Sequence, residues 1–183
     1  MLIGFVIPHN FYAPWDFVRS TWRIPAEFMP PIDETGADCA LNRERLLERA
    51  KKKNEDILFI DSDAEFTTMD IFKMADRLKE KPVVTGVCLL GDPPHLPSIF
   101  KWDNDKVLFE SIQPEGFQKV DACGAAFLGI SSRIYGKLSK NPFRRNDNFG
   151  TDLSFCRSLT NLGIEIWCDS DIRIGHIKPK VLR

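Results

Sequence analysis

The residues best suited to chemistry are two aspartates that follow a short apolar run. Asp61-Ser62-Asp63 comes directly after Ile57–Ile60, and an apolar run of this length with polar flanks is typical of a buried strand. In the turn after a strand, carboxylates spaced i and i+2 can converge on one hard cation, and Mg²⁺ and Mn²⁺ prefer oxygen ligands. The spacing predicts a cation site, and the alternative is a turn that only caps the following helix.

A third aspartate, Asp152, stands at the start of a predicted helix, Thr151–Leu162. A carboxylate there is stabilised by the helix dipole and by free backbone N–H groups. It either caps the helix or acts as a general base, which must be ionised and face an acceptor hydroxyl. His176 follows Gly175 at the end of the last predicted strand. Its imidazole is either structural or a third ligand for Mn²⁺ beside the carboxylates.

Strands and helices alternate in the first half of the chain. Leu2–Ile7 is predicted to be a buried strand, and the apolar residues of Asp38–Lys53 share one helical face. A third strand, Val83–Leu90, follows a helix that ends near Glu80. This alternation predicts a parallel sheet with helices on both faces. Ligands of such sheets bind at the carboxyl ends of the strands, where Pro8-His9-Asn10 and the acidic turn would lie.

The second half of the chain mixes element types. In the first half, the stretch through Pro25, Pro30, Pro31 and Gly36, which precedes the helix at Asp38–Lys53, is predicted to be a loop because it shows little periodicity. The later elements predicted are a hairpin at Ile99–Ile112 turning near Asn104-Asp105, a central strand at Val120–Ile130, a helix at Ser131–Leu138, and strands at Ile164–Cys168 and Ile172–Ile177.

The bulk properties indicate an ordinary globular protein. The 183 residues suit one domain, 1–183. The formal net charge of −1 gives no indication of nucleic acid as a partner. The apolar runs are too short for a membrane span, and the N-terminal one is predicted to be a strand rather than a signal peptide. The five scattered cysteines form no CxxC pair, which favours free buried thiols and a cytoplasmic setting.

The motifs occur in an order that resembles the glycosyltransferase family 2 enzymes, which have the GT-A fold. The likeness covers nearly the whole chain, and five individually weak motifs in the correct order are fairly specific. It implies an α/β fold with a mixed, mainly parallel central sheet flanked by helices and a small β-hairpin insertion. The five motifs are Ile7-Pro8-His9-Asn10, Asn42, Ile57–Asp63, Val120–Leu128 and Gly150–Cys156, and Gly163–Trp167 and Gly175-His176 close the series.

The resemblance implies a metal-dependent glycosyltransferase that moves a sugar from a nucleoside diphosphate to an acceptor hydroxyl with inversion. Asp152 would be the base, and Mn²⁺ or Mg²⁺ would be held by Asp61, Asp63 and His176. A UDP-sugar donor is favoured on family frequency, whereas the acceptor can be a glycan, a lipid or a protein. The donor-binding residues would be Pro8, Asn10, Asn42, Asp61, Ser62, Asp63 and Gly124.

Two departures from the family pattern bear on the substrates. The helix carries Leu41-Asn42 where family members often have Arg-Asn, so Arg43 is a candidate to supply that donor contact. Gly150-Thr151-Asp152 replaces a common Gly-Glu-Asp, which puts Thr151 on the acceptor side. Trp102, on the predicted hairpin, either stacks on a sugar face in the acceptor region or packs within the hairpin.

Two other functions are consistent with the same residues. In a haloacid-dehalogenase-like phosphatase Asp61 would be the nucleophile, with Asp169-Ser170-Asp171 as a second acidic pair. Ala64-Glu65 replaces the Gly-Thr-like pair usual there. A non-catalytic module on the same fold would bind a nucleotide sugar with metal but not transfer it. Arg144 and Arg145 either cover donor phosphates or are solvated.

Overall fold

The computed structural model describes residues 1–8, 13–90, 94–103, 108–145 and 149–177. Within these ranges the α-helices are α1 (Trp15–Thr21), α2 (Cys39–Lys53), α3 (Thr68–Glu80) and α4 (Thr151–Asn161), with 3₁₀ helices at Ala26–Phe28 and Ser132–Lys137. The strands are β1 (Leu2–Ile7), β2 (Ile32–Thr35), β3 (Ile57–Asp61), β4 (Ala64–Glu65), β5 (Val83–Cys88), β6 (Ile99–Asp103), β7 (Leu108–Ser111), β8 (Phe117–Val120), β9 (Ala122–Cys123), β10 (Phe127–Ile130) and β11 (Ile166–His176).

The central sheet is mainly parallel, as the alternation of elements predicts. Its strand order is β2-β1-β3-β10-β5-β11-β4, and β8 pairs with β11 beside this path. Strands β2, β1, β3, β5 and β11 run in one direction, whereas β10 is antiparallel to both of its neighbours. A separate antiparallel sheet of β7, β6 and β9 contains the predicted hairpin, whose turn near Asn104-Asp105 lies outside the described residues.

Both faces of the central sheet are covered. Ile57 and Phe59 of β3 pack in one apolar cluster, and Leu58 and Ile60 pack in another. Successive side chains of a strand point to opposite faces, so a strand buried on both sides is a continuous apolar run. This arrangement confirms the buried strand that precedes the acidic turn. In the described residues, no helix is both long and apolar enough to cross a membrane.

The helices begin at the residues that their sequences favour. The Asp38 carboxylate accepts the N–H groups of Ala40 and Leu41, at 2.9 and 3.1 Å, and so caps α2. Thr67 and Asp70 form a reciprocal capping box at the start of α3. Caps of this kind stabilise a helix by about 1 kcal/mol each. The predicted helices at these two places are therefore confirmed.

The central strand predicted at Val120–Ile130 is confirmed only over Phe127–Ile130, which is β10. The predicted segment divides into the end of β8, then β9 in the small sheet, then β10 in the central sheet. Asp121 causes the departure, because its N–H donates to the Phe100 carbonyl at 2.9 Å and its carboxylate accepts the Trp102 N–H at 2.9 Å. One polar residue thus ties the chain to the hairpin between two apolar stretches.

The two strands predicted near the C-terminus are one strand, β11, with a register shift between Asp169 and Arg173. Asp169 is buried there, and it accepts hydrogen bonds from Arg77 Nε at 2.7 Å and from the Asp171 N–H at 2.9 Å. Because Asp169 has these partners inside the fold, the strand continues through a bulge instead of ending at the polar residues.

The stretch predicted to be a loop contains β2, which pairs parallel with β1. Its residues alternate between half-buried and exposed, and the strand is only four residues long. It therefore lacks the apolar run that marks the other parallel strands. The predicted helix at Ser131–Leu138 is a 3₁₀ helix.

Candidate active site

The acidic turn lies at the carboxyl edge of the central sheet. Asp61 is the last residue of β3, and its N–H donates to the Ala126 carbonyl at 3.0 Å. The N–H of Ser62, whose side chain is buried, donates to the Val6 carbonyl at 3.1 Å. These two bonds fix the turn to neighbouring segments, so Asp61 and Asp63 leave the sheet at defined positions.

Asp63 meets His176 at this edge. His176 Nε2 lies 3.1 Å from Asp63 Oδ2, and its Nδ1 lies 2.9 Å from the Leu89 carbonyl oxygen. Because a carbonyl can only accept, Nδ1 carries a proton, and a neutral ring turns its Nε2 lone pair towards the carboxylate. Two acceptors at this distance repel each other unless the ring is protonated or a cation joins them. A backbone carbonyl behind the ring is also the usual support of a metal-binding histidine.

Arg43 joins the acidic turn to Asp152. Its side chain is buried on the inner face of α2. Nη2 donates to both carboxylate oxygens of Asp61, at 2.7 and 2.8 Å, and Nη1 donates to Asp152 Oδ1 at 3.2 Å. A buried guanidinium requires such partners, since an unpaired buried charge is costly. One cation therefore holds the carboxylates of two distant segments together.

Burial dominates the electrostatics of Asp61. It raises the pKa of this carboxyl to about 6, while Arg43 opposes the increase and the carboxylates of Asp152 and Asp63 add to it. A cation bound beside Asp61 would favour the ionised form, because an opposite charge lowers the pKa of a carboxyl group.

Asp152 lies in the first turn of α4. Its Oδ2 accepts the Ala125 N–H at 3.1 Å, and the Thr151 hydroxyl donates to its Oδ1 at 3.2 Å. Together with Arg43, these donors orient the carboxylate, and about a third of the side chain remains exposed, at 31%. An oriented and accessible carboxylate is what a general base requires.

The remaining predicted donor residues have different surroundings. Asn42 is buried, and its Nδ2 donates to the carbonyls of Gly36 at 3.0 Å and Ile7 at 3.4 Å. It ties together the segments that follow β1 and β2. Pro8 follows β1 at the same edge, whereas Asn10 lies outside the described residues.

The small sheet borders the site on the other side. Gly124 donates its N–H to the Ser98 carbonyl at 2.8 Å, and a Cβ on this glycine would meet the Ser98 Cβ at 3.3 Å. The Arg157 guanidinium lies 4.0 Å over the Trp102 ring, and the Phe149 ring meets that of Trp102 edge-on at 5.6 Å. Trp102 thus packs against α4 and against Phe149, which precedes that helix. Stacking of the ring on a sugar face stays a prediction.

The predicted metal ligands are only partly together. Among the residues that the structure describes, no group of three or more His, Cys, Asp or Glu side chains is arranged to hold a metal ion. Asp63 and His176 are in contact, but the Asp61 carboxylate is bound by Arg43. The Asp63 carboxylate oxygen and the His176 Nε2, whose tautomer the Leu89 carbonyl sets, are ligands of the kind that a divalent cation binds. The three-ligand set stays a prediction.

Three partners in the site are not evident from motif spacing. They are the Arg43 guanidinium, which bridges Asp61 and Asp152, the Ala125 N–H and the Leu89 carbonyl. Arg43 does leave a signal, because it falls on the apolar face of the predicted helix, where a charged residue must find a buried partner. The two backbone groups have no signal in the residue types.

No family model and no curated protein matches this sequence. Among solved structures, the chain is similar to GalNAc-T7 in a crystal structure with UDP, GalNAc and Mn²⁺. The TM-score is 0.62 at 13% identity, over 97% of this chain and 44% of that one. The chain is also similar to A197 from STIV, with a TM-score of 0.71 and 17% identity over 100% of this chain and 97% of the other. These likenesses show a GT-A-like fold, which confirms the predicted fold class.

Proposed function

We propose that this protein is a metal-dependent glycosyltransferase that moves a sugar from a nucleoside diphosphate to an acceptor hydroxyl with inversion. The observation that carries the proposal is the Arg43 bridge, which holds Asp61 and Asp152 together at the carboxyl edge of the sheet. Ligands of open α/β sheets bind at that edge. The GT-A-like fold, shared with a protein crystallised with UDP and Mn²⁺, supports the reaction class.

In the proposed reaction, Asp152 takes the proton of the acceptor hydroxyl as that oxygen attacks the anomeric carbon of the donor. The bond from this carbon to the diphosphate oxygen breaks as the new carbon–oxygen bond forms. The nucleoside diphosphate leaves with the electron pair, and the anomeric configuration inverts. Arg43, Thr151 and the Ala125 N–H keep the Asp152 carboxylate oriented for the proton transfer.

Asp63 and His176 would hold the divalent cation, Mn²⁺ or Mg²⁺, and Asp61 would be the third protein ligand. When bound, such a cation offsets the charge that develops on the leaving diphosphate. UDP is the favoured nucleotide, and the acceptor is a glycan, a lipid or a protein. The proposed donor side also includes Pro8, Asn10, Asn42, Ser62 and Gly124, and the proposed acceptor side includes Trp102 and Thr151.

We further propose that residues 1–183 act as one domain in a reducing, cytoplasmic setting. All five cysteines are free thiols, which agrees with such a compartment. Asp61 is less suited to the phosphatase alternative, because Arg43 engages both of its carboxylate oxygens. In that alternative Asp169 would belong to the second acidic pair, yet it is buried against Arg77.

A thermal-shift panel tests the proposal. The protein is heated with nucleoside diphosphate sugars in the presence of Mn²⁺, Mg²⁺ or a chelator. We expect one nucleotide to stabilise it only with metal, by about 2.7 kcal/mol at a hundredfold excess over Kd. Asp63→Ala should abolish this shift, and Asp76→Ala, on the exposed side of α3, should retain it. If no nucleotide shifts the protein under any metal condition, the proposal is wrong.

One observation favours the second candidate, a non-catalytic nucleotide-sugar binding module. Both oxygens of Asp152 already accept hydrogen bonds, from Arg43 and from the Ala125 N–H, which would suit a purely structural carboxylate. The two functions differ in turnover. A transferase should release UDP from a UDP-sugar slowly even with water as acceptor, whereas a binding module should bind the same donor and leave it intact.

A further inference from the structure

We propose that the cavity between the start of α2 and the segment that enters α4 binds the acceptor, and that this acceptor carries a phosphate beside its hydroxyl groups. The inference rests on the proposed function, since it assigns the substrate that Asp152 deprotonates. It goes beyond that function by naming the chemical class of the acceptor and the residues that recognise it.

The cavity has a volume of about 540 Å³, which is within the range of pockets that enclose small ligands. Thr151, the residue before the proposed base, lines it. Asp61, Asp63 and His176 are not among its described lining residues. Asp152 itself is not among them either, so the cavity reaches the proposed base only through its chain neighbour Thr151. Because Thr151 is on the proposed acceptor side, we assign the cavity to the acceptor rather than to the donor.

Two arginines, Arg144 and Arg145, give the cavity wall its positive charge. Within the described part of the chain neither forms an ion pair, and Arg145 Nε donates to the Phe149 carbonyl at 3.1 Å. Arginine has five N–H donors in a planar fork that matches phosphate oxygens. Adjacent arginines that form no ion pair with any described residue are suited to an anionic group of this geometry.

The carboxylates in the same wall already have partners. Asp38 accepts two backbone N–H groups as the cap of α2, and Glu44 accepts a backbone hydrogen bond from Phe143. Neither acid forms an ion pair with these arginines among the described residues. Burial raises the pKa of Glu44 and the charge of Arg144 opposes that rise, so these two side chains interact without an ion pair. One Glu44 oxygen is buried without a hydrogen-bond partner among the described residues.

A second cavity, of about 510 Å³, continues along α2 and shares Leu41, Glu44 and Asn141 with the first. Its lining carries four basic side chains and three acidic ones, namely Arg45, Arg49, Lys52 and Lys140 with Glu34, Glu44 and Glu48. The ligand can thus be larger than one sugar ring. A soluble polyol phosphate and the phosphate headgroup of a lipid both present the required chemistry, and experiment separates them.

The test uses two comparisons, one between ligands that differ only in a phosphate and one between vesicles that differ in an anionic inositol phosphate headgroup. Calorimetric titration compares inositol 1-phosphate with inositol, and flotation compares phosphatidylcholine vesicles with and without phosphatidylinositol. We expect inositol 1-phosphate, or the vesicles that contain phosphatidylinositol, to bind about tenfold more tightly than the matched control or better, because each charge-assisted hydrogen bond contributes about that much. Binding only in the first pair identifies a soluble acceptor, and binding only in the second identifies a lipid headgroup.

Arg144→Gln and the double variant Arg144→Gln/Arg145→Gln should remove the preference for phosphate. Arg23→Gln, an exposed arginine on another part of the surface, should retain it. Circular dichroism shows whether each variant is folded, and Arg144→Lys provides a variant that keeps the charge but loses the planar fork, with an intermediate preference expected.

The outcomes separate this inference from the proposed function. Equal binding within both pairs overturns the inference even if the wild-type protein binds a nucleotide sugar with metal. Loss of nucleotide binding in Arg144→Gln, with phosphate preference unchanged, assigns the arginines to the donor and also overturns it. A phosphate preference that depends on Arg144, in a protein that binds no nucleotide, retains the cavity as a phosphate site and rejects the glycosyltransferase.

Discussion

Two arginine–aspartate clusters in this protein have the same residue types and opposite burial. In the candidate site the cation is inside, since the Arg43 side chain is 4% exposed and those of Asp61 and Asp152 are 26% and 31% exposed. In the bulge of β11 the anion is inside, since the Asp169 side chain is 3% exposed and that of Arg77 is 31% exposed. The carboxylates of the first cluster are therefore partly exposed to solvent, whereas the carboxylate of the second cluster is buried.

The difference separates a site from a structural tie. The Asp169 carboxylate is fully used by Arg77 and by the Asp171 N–H, and the Phe117 ring lies 4.2 Å under the guanidinium. No part of that carboxylate is available to a ligand. Arg43 instead supports two carboxylates from below, so their open sides can meet a cation or a hydroxyl. A buried arginine beneath partly exposed acids is therefore the feature that distinguishes the cluster of the candidate site.

The largest expected effect comes from the same substitution made in each cluster. Asp152→Asn should reduce release of UDP from a UDP-sugar by about 10²–10⁴-fold, because an amide cannot accept the acceptor proton. Nucleotide and metal binding should persist. Asp169→Asn is the matched control and should leave UDP release unchanged. Steady-state turnover and a binding titration measure the two effects, and retained turnover in Asp152→Asn would remove its assignment as the base.

Removal of the buried cation should have the next largest effect. Arg43→Met leaves Asp61 and Asp152 facing each other without their shared partner, which should cost about 3 kcal/mol of unfolding free energy. Mn²⁺ should then stabilise the variant more than the wild type, because both carboxylates are freed for a cation. Urea unfolding with and without Mn²⁺ measures both quantities. Arg45→Met, on the exposed side of α2, is the control, and equal stability of the two variants would show that Arg43 is not a buried bridge.

The two clusters also show how far a sequence predicts this structure. Continuous apolar runs and capped amphipathic helices predict β1, β3, β5, α2 and α3, because local burial patterns determine them. The bulge at Asp169 and the detour at Asp121 escape prediction for the opposite reason. Each polar residue is satisfied by a partner distant in the chain, Arg77 or the hairpin, and such a partner is not visible in a local pattern.

The candidate site is predictable in its members and less so in its contacts. Asp63 contacts His176, and Asp61 and Asp152 share Arg43 as a partner; the first pair belongs to the ligand set that the resemblance implies. That Asp61 faces Arg43 depends on how α2 docks on the sheet, which the residue types alone do not determine. The donors to Asp152 and His176 come partly from the backbone of Ala125 and Leu89, and any residue type could supply them.

Substitutions in the Arg77–Asp169 cluster should change the stability of the protein and not its turnover. Asp169→Asn removes a charge-assisted hydrogen bond to Arg77 and should lower the unfolding free energy by about 2 kcal/mol. Urea unfolding measures this loss. Ser170→Ala, in the same bulge, should stay within about 0.5 kcal/mol of the wild type. A loss of donor turnover in Asp169→Asn without a loss of stability would contradict the division between the two clusters.

The smallest effect should come from the outer partner of Arg77. Glu80 Oε1 accepts from Arg77 Nη1 at 3.1 Å, but the Glu80 side chain is 54% exposed. Exposed pairs one helical turn apart contribute only about 0.3 kcal/mol, and salt screens them. Glu80→Gln should thus change stability by about that amount at low salt and not measurably at high salt. A loss above about 1 kcal/mol would mean that Glu80 helps to hold Arg77 over Asp169. The buried carboxylate would then depend on an exposed charge, and the two clusters would differ less than their burial indicates.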